Sequence, residues 1–341
     1  MEQMIPKIPQ QVERHWQKEL ADSFVDPVAL LKYLQLEASQ FASDIEARKL
    51  FPMRVPLPFA NRMVKGDAED PLFKQVFTSA NEFIESPEFV SDPLEEHSND
   101  VEGLLHKYQS RALLIVRGGC AVNCRYCFRR DFPYAGNSLN KAGWLKVLNY
   151  LKNDQNINEV ILSGGDPLMA KDDFLAWLVE QIASIKQVTR LRIHTRLPIV
   201  IPSRITDELI HWFTQSRLKP VMILHINHAN EIDQEVTEKL TLLKQAGVTL
   251  LNQAVLLKGV NDHIEAQVEL NERLFDVGIL PYYLHMLDKV RGATHFDVDE
   301  NQAKQLMAEM IRRLPGFLVP KLVREIGGQP GKTPIDLNLC P

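Results

Sequence analysis

Cysteine is scarce in this 341-residue chain, with four in all, and three of them fall within eight residues. A disulfide scaffold needs thiols spread over the fold, whereas Cys120, Cys124 and Cys127 crowd one stretch and Cys340 is penultimate, so none is expected. Excess charge is also lacking. Lys and Arg total 39 against 44 Asp and Glu, a formal net charge of -5, which lacks the basic surplus of a nucleic-acid surface and does not favour acidic substrates. No run approaches the roughly 18 uninterrupted apolar residues of a membrane span. Residues 1–7 lack the basic-then-apolar pattern of a signal peptide. A cytoplasmic protein with no nucleic-acid or membrane partner is expected. There is no internal repeat and no low-complexity tract. The remainder is ordinary globular composition, 45% hydrophobic and 24% charged, enough for one large core or two domains.

From about residue 110 to 315, short apolar runs alternate with longer amphipathic segments, the pattern of repeated strand–helix units. Runs at 112–116, 159–162, 190–195, 221–226, 249–257 and 280–285 read as buried parallel strands. Helical periodicity fills the spaces, at 141–152, 172–186, 206–215, 233–246, 263–277 and 301–314. Asp172-Asp173 and Thr206-Asp207 read as helix caps, and Gly247 and Gly278 as helix stops. Six such units can curl into a partial barrel whose site gathers at the strand C-terminal ends. Three segments directly follow the first three strands: the cysteine stretch, Ser163-Gly164-Gly165-Asp166-Pro167, and Arg196-Leu197-Pro198. Residues 1–105 read as an extension with helices at 27–36 and 70–77 broken by the proline-rich 51–59. Residues 106–300 form the barrel, and 301–341 carry a helix and a loop rich in glycine and proline.

Three closely spaced thiolates suit a soft metal centre. One reading is a zinc site completed by a distant His or by Cys340. Another is a cubane iron–sulfur cluster held by three cysteines with one iron left open. The spacing of three residues and then two, with Tyr126 just before the last cysteine, resembles the signature of the radical S-adenosylmethionine enzymes. That resemblance implies a [4Fe-4S] cluster on Cys120, Cys124 and Cys127, with S-adenosylmethionine on the open iron. Ser163-Gly164-Gly165-Asp166 resembles the strand-end motif of these enzymes, where glycine admits the ligand's close approach.

Further segments narrow the likeness. Cys127-Phe-Arg129-Arg130, His225-Ile-Asn-His228, the stretch from Asn252 to Asn261, Pro281-Tyr-Tyr283 with Asp288, and Gly331-Lys332-Thr-Pro together resemble the lysine 2,3-aminomutases over residues 105–337. The chain is most similar to the short bacterial form that supplies (R)-β-lysine for elongation factor P. The resemblance implies an α/β partial (β/α)6 radical-SAM barrel and the isomerisation of L-lysine to (R)-β-lysine. It implies pyridoxal 5′-phosphate on Lys332, an amine suited to a Schiff base, with Arg111 at the phosphate. Ser163, Gly164, Gly165, Asp166, His225 and Gln253 are implied at S-adenosylmethionine. Arg129 is implied at the substrate carboxylate, where a planar fork pairs well, and Asp288 with Glu325 at the distal ammonium. A flavodoxin- or ferredoxin-type reductant is implied, and elongation factor P or its lysyl ligase as a partner.

Two departures stand out. Longer members have aspartate where this chain has Glu325, which keeps the charge and lengthens the reach. A carboxylate pair disfavours glutamate as substrate, since like charges in a closed site are costly. Longer members also continue into a cysteine-containing zinc segment. Cys340 alone cannot supply it, so no structural zinc is expected, and the family tetramer is not carried over, which leaves a homo-oligomer open. Two rival readings are the same chemistry on another amino acid or a protein-bound lysine, and a non-catalytic protein stabilised by zinc or a cluster.

Overall fold

The computed structural model describes residues 13–97, 101–329 and 331–338. Among the described residues nine strands form one sheet in chain order. β1 (Leu104–Tyr108) and β2 (Arg111–Arg117) make an antiparallel hairpin. From β2 the sheet runs parallel through β3 (Glu159–Gly164), β4 (Arg190–Thr195), β5 (Lys219–Leu224), β6 (Thr249–Val255), β7 (Leu280–His285) and β8 (Lys321–Arg324). β9 (Thr333–Pro334) returns antiparallel along β8. All six expected strands are present as β2 to β7. β3 is buried at nearly every position and reads as a continuous apolar run, whereas β4 and β6 alternate between buried and partly exposed positions.

The crossovers are the helices Lys141–Asn153, Asp172–Ala183, Asp207–Thr214, Gln234–Gln245 and Ile264–Asp276, and Glu300–Arg313 precedes β8. Thr206 caps its helix by accepting from the Leu209 N–H at 3.1 Å. The expected cap at Asp172 is not one. Its carboxylate is buried and accepts from Arg204 Nη2 at 2.8 Å and Trp212 Nε1 at 2.7 Å, so it ties its helix to the next crossover. Among the described residues no helix is long and apolar enough to cross a membrane.

The sheet does not close on itself by backbone pairing, since β1 and β9 are its ends. Side chains bridge the gap instead: the Tyr108 hydroxyl donates to Glu325 Oε1 at 3.0 Å, joining the end of β1 to the residue after β8. The sheet is thus an open barrel, with the seam beside Lys332.

The N-terminal segment is less helical than expected. Its helices Pro27–Tyr33 and Pro71–Val76 are short, and turns of 3-10 helix and irregular chain join them. It has no separate core. Leu30, Phe59 and Leu72 belong to the same apolar cluster as Leu114, Val160 and Met222 of the barrel strands.

That segment also grips the cysteine stretch. Arg125, fully buried, donates Nε and Nη2 to Glu82 at 2.8 and 2.6 Å and Nη1 to the carbonyls of Phe51 and Pro52 at 3.0 Å. Arg130 reaches the same Glu82 at 3.0 Å. The Asn123 and Arg125 amides donate to the carbonyls of Arg54 and Gln75. Removing one partner of a buried ion pair leaves an uncompensated charge, at a cost of about 3–5 kcal/mol. Glu82→Ala strands two guanidiniums, so the unfolding free energy from a urea titration is expected to fall by at least that order, with a lower midpoint. An unchanged midpoint would remove the clamp from the account.

Candidate active site

The cysteine stretch leaves the end of β2 and returns along the open end of the barrel. Cys120, Cys124 and Cys127 are free, partly buried thiols that line one cavity of about 360 Å³, within the usual range for a small-molecule site. Turn hydrogen bonds from the Cys127 amide to the Cys124 carbonyl and from the Arg130 amide to the Cys127 carbonyl, both 3.1 Å, shape the loop. Burial pushes the Cys127 thiol up to about 11, with Cys124 adding to it. Burial also lifts Cys120 well above the ordinary thiol range. Such thiols give up their protons to a soft metal. Among the described residues no three His, Cys, Asp or Glu side chains gather tightly enough for a single ion. A cubane seats its three thiolates on separate irons and does not need that gathering. Cys340 lies outside the described residues.

Gly164 and Gly165 have a reason in the protein itself, beside the expected approach of a ligand. A Cβ on Gly164 would stand 2.4 Å from the Arg117 carbonyl oxygen, and one on Gly165 would stand 2.7 Å from those of Gly118 and Gly119. The close approach is therefore to the backbone entering the cysteine loop. The Gly165 and Asp166 amides donate across it, to Arg117 and Gly119 at 2.7 and 3.0 Å. The Asp166 carboxylate is spent on Thr195 Oγ1 and the amides of Leu168, Arg196 and Leu197, at 2.8 to 3.0 Å. It locks the ends of β3 and β4 together.

Deeper in the cavity the side chains of His194, His225, Gln253 and His285 converge from β4 to β7. Each holds a buried polar atom without a partner: Nε2 of the three histidines and Oε1 of Gln253. Burial holds His225 down to about 3, with Arg196 and Lys332 adding to it, and drives His194 and His285 well below the ordinary range. All three are neutral near pH 7 and present donors and acceptors to a polar ligand. Unsatisfied buried groups are rare in native proteins. These suit a polar cofactor such as S-adenosylmethionine or pyridoxal phosphate.

The seam end of the cavity is charged. Lys332, next to β9, donates to Glu325 Oε2 at 2.7 Å, and Glu325 also accepts from Tyr108. Burial opposes ionisation of Glu325, but Lys332 holds its carboxyl below the usual range. The Arg111 guanidinium stacks 4.0 Å over the Tyr108 ring. Asp288 follows β7, where burial, reinforced by Glu325, pushes its carboxyl up to about 7 against the pull of Lys332.

Arg129 lies between the thiols and this end, and its fork is occupied. Nε and Nη2 donate to Glu96 at 2.7 and 3.2 Å, while Nη1 meets Ser163 Oγ and the Gly164 carbonyl at 3.2 and 3.3 Å. Burial works against the Glu96 charge, yet Arg129 and Lys107 hold its carboxyl at about 2.

Every candidate residue from the sequence, Cys340 apart, thus belongs to one cavity. Sequence reasoning missed Glu96, Tyr108, His194 and His285. Glu96 sits in an unpatterned polar stretch and Tyr108 precedes a two-residue turn, so neither carried a signal. The histidines fall on the inward positions of β4 and β7, where period-two alternation could have found them.

Asp288 sets a pH dependence. As pH rises through about 7 it loses its proton and gains the charge an alkylammonium requires. L-lysine binding measured by calorimetry is expected to tighten across that interval, and Asp288→Asn to abolish the change. Its pKa in the fold is raised, so the stability it contributes is present in acid and lost as pH rises toward and past 7. The Asn variant should therefore gain stability relative to wild type above neutrality. A wild-type affinity that is flat across neutrality would contradict the assignment.

Residues 114–270 match the Radical SAM superfamily. The chain is 53% identical over 325 residues to L-lysine 2,3-aminomutase of Escherichia coli, covering 95% of each chain. It is 52% identical over 322 residues to that of Haemophilus influenzae, covering 94% of this chain and 95% of that one. It is 47% identical over 335 residues to that of Buchnera aphidicola, covering 98% of both. An open barrel carrying three loop thiols at one end of a cavity and a half-buried lysine at its seam, with identity over nearly the whole length, places the chain in the L-lysine 2,3-aminomutase family of radical S-adenosylmethionine enzymes.

Proposed function

We propose that the protein isomerises L-lysine to β-lysine by moving the amino group from C2 to C3. One observation carries this reading. Among the ion pairs lining the cavity are Glu96 on Arg129 and Lys332 on Glu325, and together they present a carboxylate on a fork and an alkylammonium on a carboxylate. Those are the two charged ends of a lysine.

On this reading Cys120, Cys124 and Cys127 hold a [4Fe-4S] cluster, and Ser163, Gly164, Gly165, Asp166, His225 and Gln253 surround S-adenosylmethionine. Asp166 does so by fixing the loop ends, since its oxygens are already committed. Lys332 carries pyridoxal phosphate, with Arg111, braced on Tyr108, at the phosphate. When bound, these groups supply a carbon-centred radical that removes and returns a substrate hydrogen, and a π-system across which nitrogen moves. The protein's own residues bind and orient. Arg129 exchanges Glu96 for the substrate carboxylate, and Lys107 retains Glu96. Glu325, freed when Lys332 engages its cofactor, joins Asp288 on the distal ammonium. The longer glutamate is held to length by the Tyr108 hydroxyl.

In the same reading the product is (R)-β-lysine, destined for elongation factor P through its lysyl ligase, in the cytoplasm, with a flavodoxin- or ferredoxin-type protein as electron source. Of the described residues, those before 106 act as the outer clamp, 106–300 carry most of the barrel and those from 301 close the seam.

The test is an anaerobic assay of reconstituted protein with L-lysine, ornithine, arginine and a lysine-bearing peptide, followed by chiral product analysis. Free lysine is expected to be the preferred substrate; no turnover of it would remove the assignment. Lys332→Ala is expected to keep the visible absorbance of the cluster, lose that of the bound pyridoxal, and cut turnover by at least about 10²-fold. A variant that keeps the pyridoxal band would put the anchor on another lysine.

A further inference from the structure

We infer that Arg196 is a positioning residue for the iron–sulfur cluster: its guanidinium donates to the Cys124 sulfur and raises the potential at which the cluster accepts its electron. This rests on the reading that the three thiols hold a cluster.

Arg196 opens the turn after β4, with its backbone amide fixed to Asp166 at 2.9 Å. Its side chain runs beneath the cysteine loop, where Nη1 lies 2.8 Å from Cys124 Sγ and 2.8 Å from the Tyr126 hydroxyl. Nη2 donates to Gln75 Oε1 at 2.7 Å and to Glu231 Oε2 at 2.9 Å. The residue is 6% exposed, and its fork is held on two sides by groups that are themselves held. Gln75 also accepts from Asn227 Nδ2, and Glu231 accepts from the Asn227 and His228 amides. A cation fastened this way cannot follow a substrate or turn to solvent. Of its partners, Cys124 is the one whose chemistry changes when metal is bound.

The physical consequence has a definite sign. Reducing a cluster adds negative charge to a buried site, which is costly unless positive charge and hydrogen-bond donors lie close to the sulfurs. A guanidinium on a ligating sulfur stabilises the reduced form more than the oxidised one, so the potential rises. Glu231 screens part of that effect, but it lies on the far nitrogen. The N-terminal segment enters here as well, since Gln75 comes from the helix Pro71–Val76 and helps hold the fork against the thiol.

The experiment is a redox titration of reconstituted wild-type, Arg196→Lys and Arg196→Gln protein. It is followed by the EPR signal of the reduced cluster, with iron and sulfide measured on the same samples. Arg196→Gln removes the cation and is expected to titrate at a more negative potential than wild type. Arg196→Lys keeps the charge but loses the fork and is expected to fall between them. Equal potentials in all three overturn the inference. If Arg196→Gln fails to assemble a cluster, the lysine variant decides alone, and an unmoved potential there overturns it. The reading beneath is tested separately: wild-type protein that binds no iron fails that reading, whereas a loaded wild type with unmoved variants fails this inference only.

Discussion

Glu82, buried beneath the cysteine loop, accepts from both Arg125 and Arg130, and the rest of the site depends on that junction. The loop has almost no regular structure of its own, so nothing in its backbone would hold three thiols toward one cavity. Its position is set from outside, by the Glu82 junction on one face and by Gly164, Gly165 and Asp166 on the other. A buried ion pair adds little net stability against an apolar replacement, because desolvation offsets most of the attraction. Its effect is on geometry: a carboxylate with two guanidiniums permits few arrangements, and the loop takes the one that satisfies all three. The N-terminal segment is therefore part of the site, although it contributes few residues to the cavity wall.

The same logic governs the far end. Charged groups in an enclosed cavity must be paired, and the protein pairs them with its own residues, Glu96 against Arg129 and Lys332 against Glu325. A ligand that replaces these partners must match them in sign and spacing, which is a stronger selection than a single charge could give. Asp288 has no ion-pair partner among the described residues. Burial, reinforced by Glu325, raises its carboxyl to about 7 against the pull of Lys332, so it holds unspent capacity for an ammonium.

Much of this was legible in the sequence, for identifiable reasons. The six central strands announce themselves as short apolar or alternating runs, continuous in β3 and alternating in β4 and β6, and the six helices by one buried face. The thiol spacing and the Gly-Gly-Asp turn follow strand ends, so fold and site candidates came from the same pattern, whereas the lysine loop stood out only through the family resemblance. What could not be read was long-range and electrostatic. β8 is four residues with charged ends and β9 is two, too short to show a period. Asp172 looked like a cap because nothing local reveals Arg204 and Trp212. Glu96 and Glu82 lie 33 and 43 residues before the arginines they meet, and ion pairs at that separation leave no mark in composition. The glycines had a second neighbour that the sequence does not reveal: the carbonyl oxygens of Arg117, Gly118 and Gly119 exclude a side chain there.

The central claim is that one cavity brings the thiol loop and Lys332 to a common substrate. An anaerobic crystal structure of the reconstituted protein with L-lysine tests it most directly. The expected result is a [4Fe-4S] cluster on Cys120, Cys124 and Cys127 and pyridoxal phosphate at Lys332, with the lysine carboxylate on Arg129 and its ammonium between Asp288 and Glu325. A cluster or pyridoxal bound elsewhere, or lysine held with its ends reversed, would contradict the account.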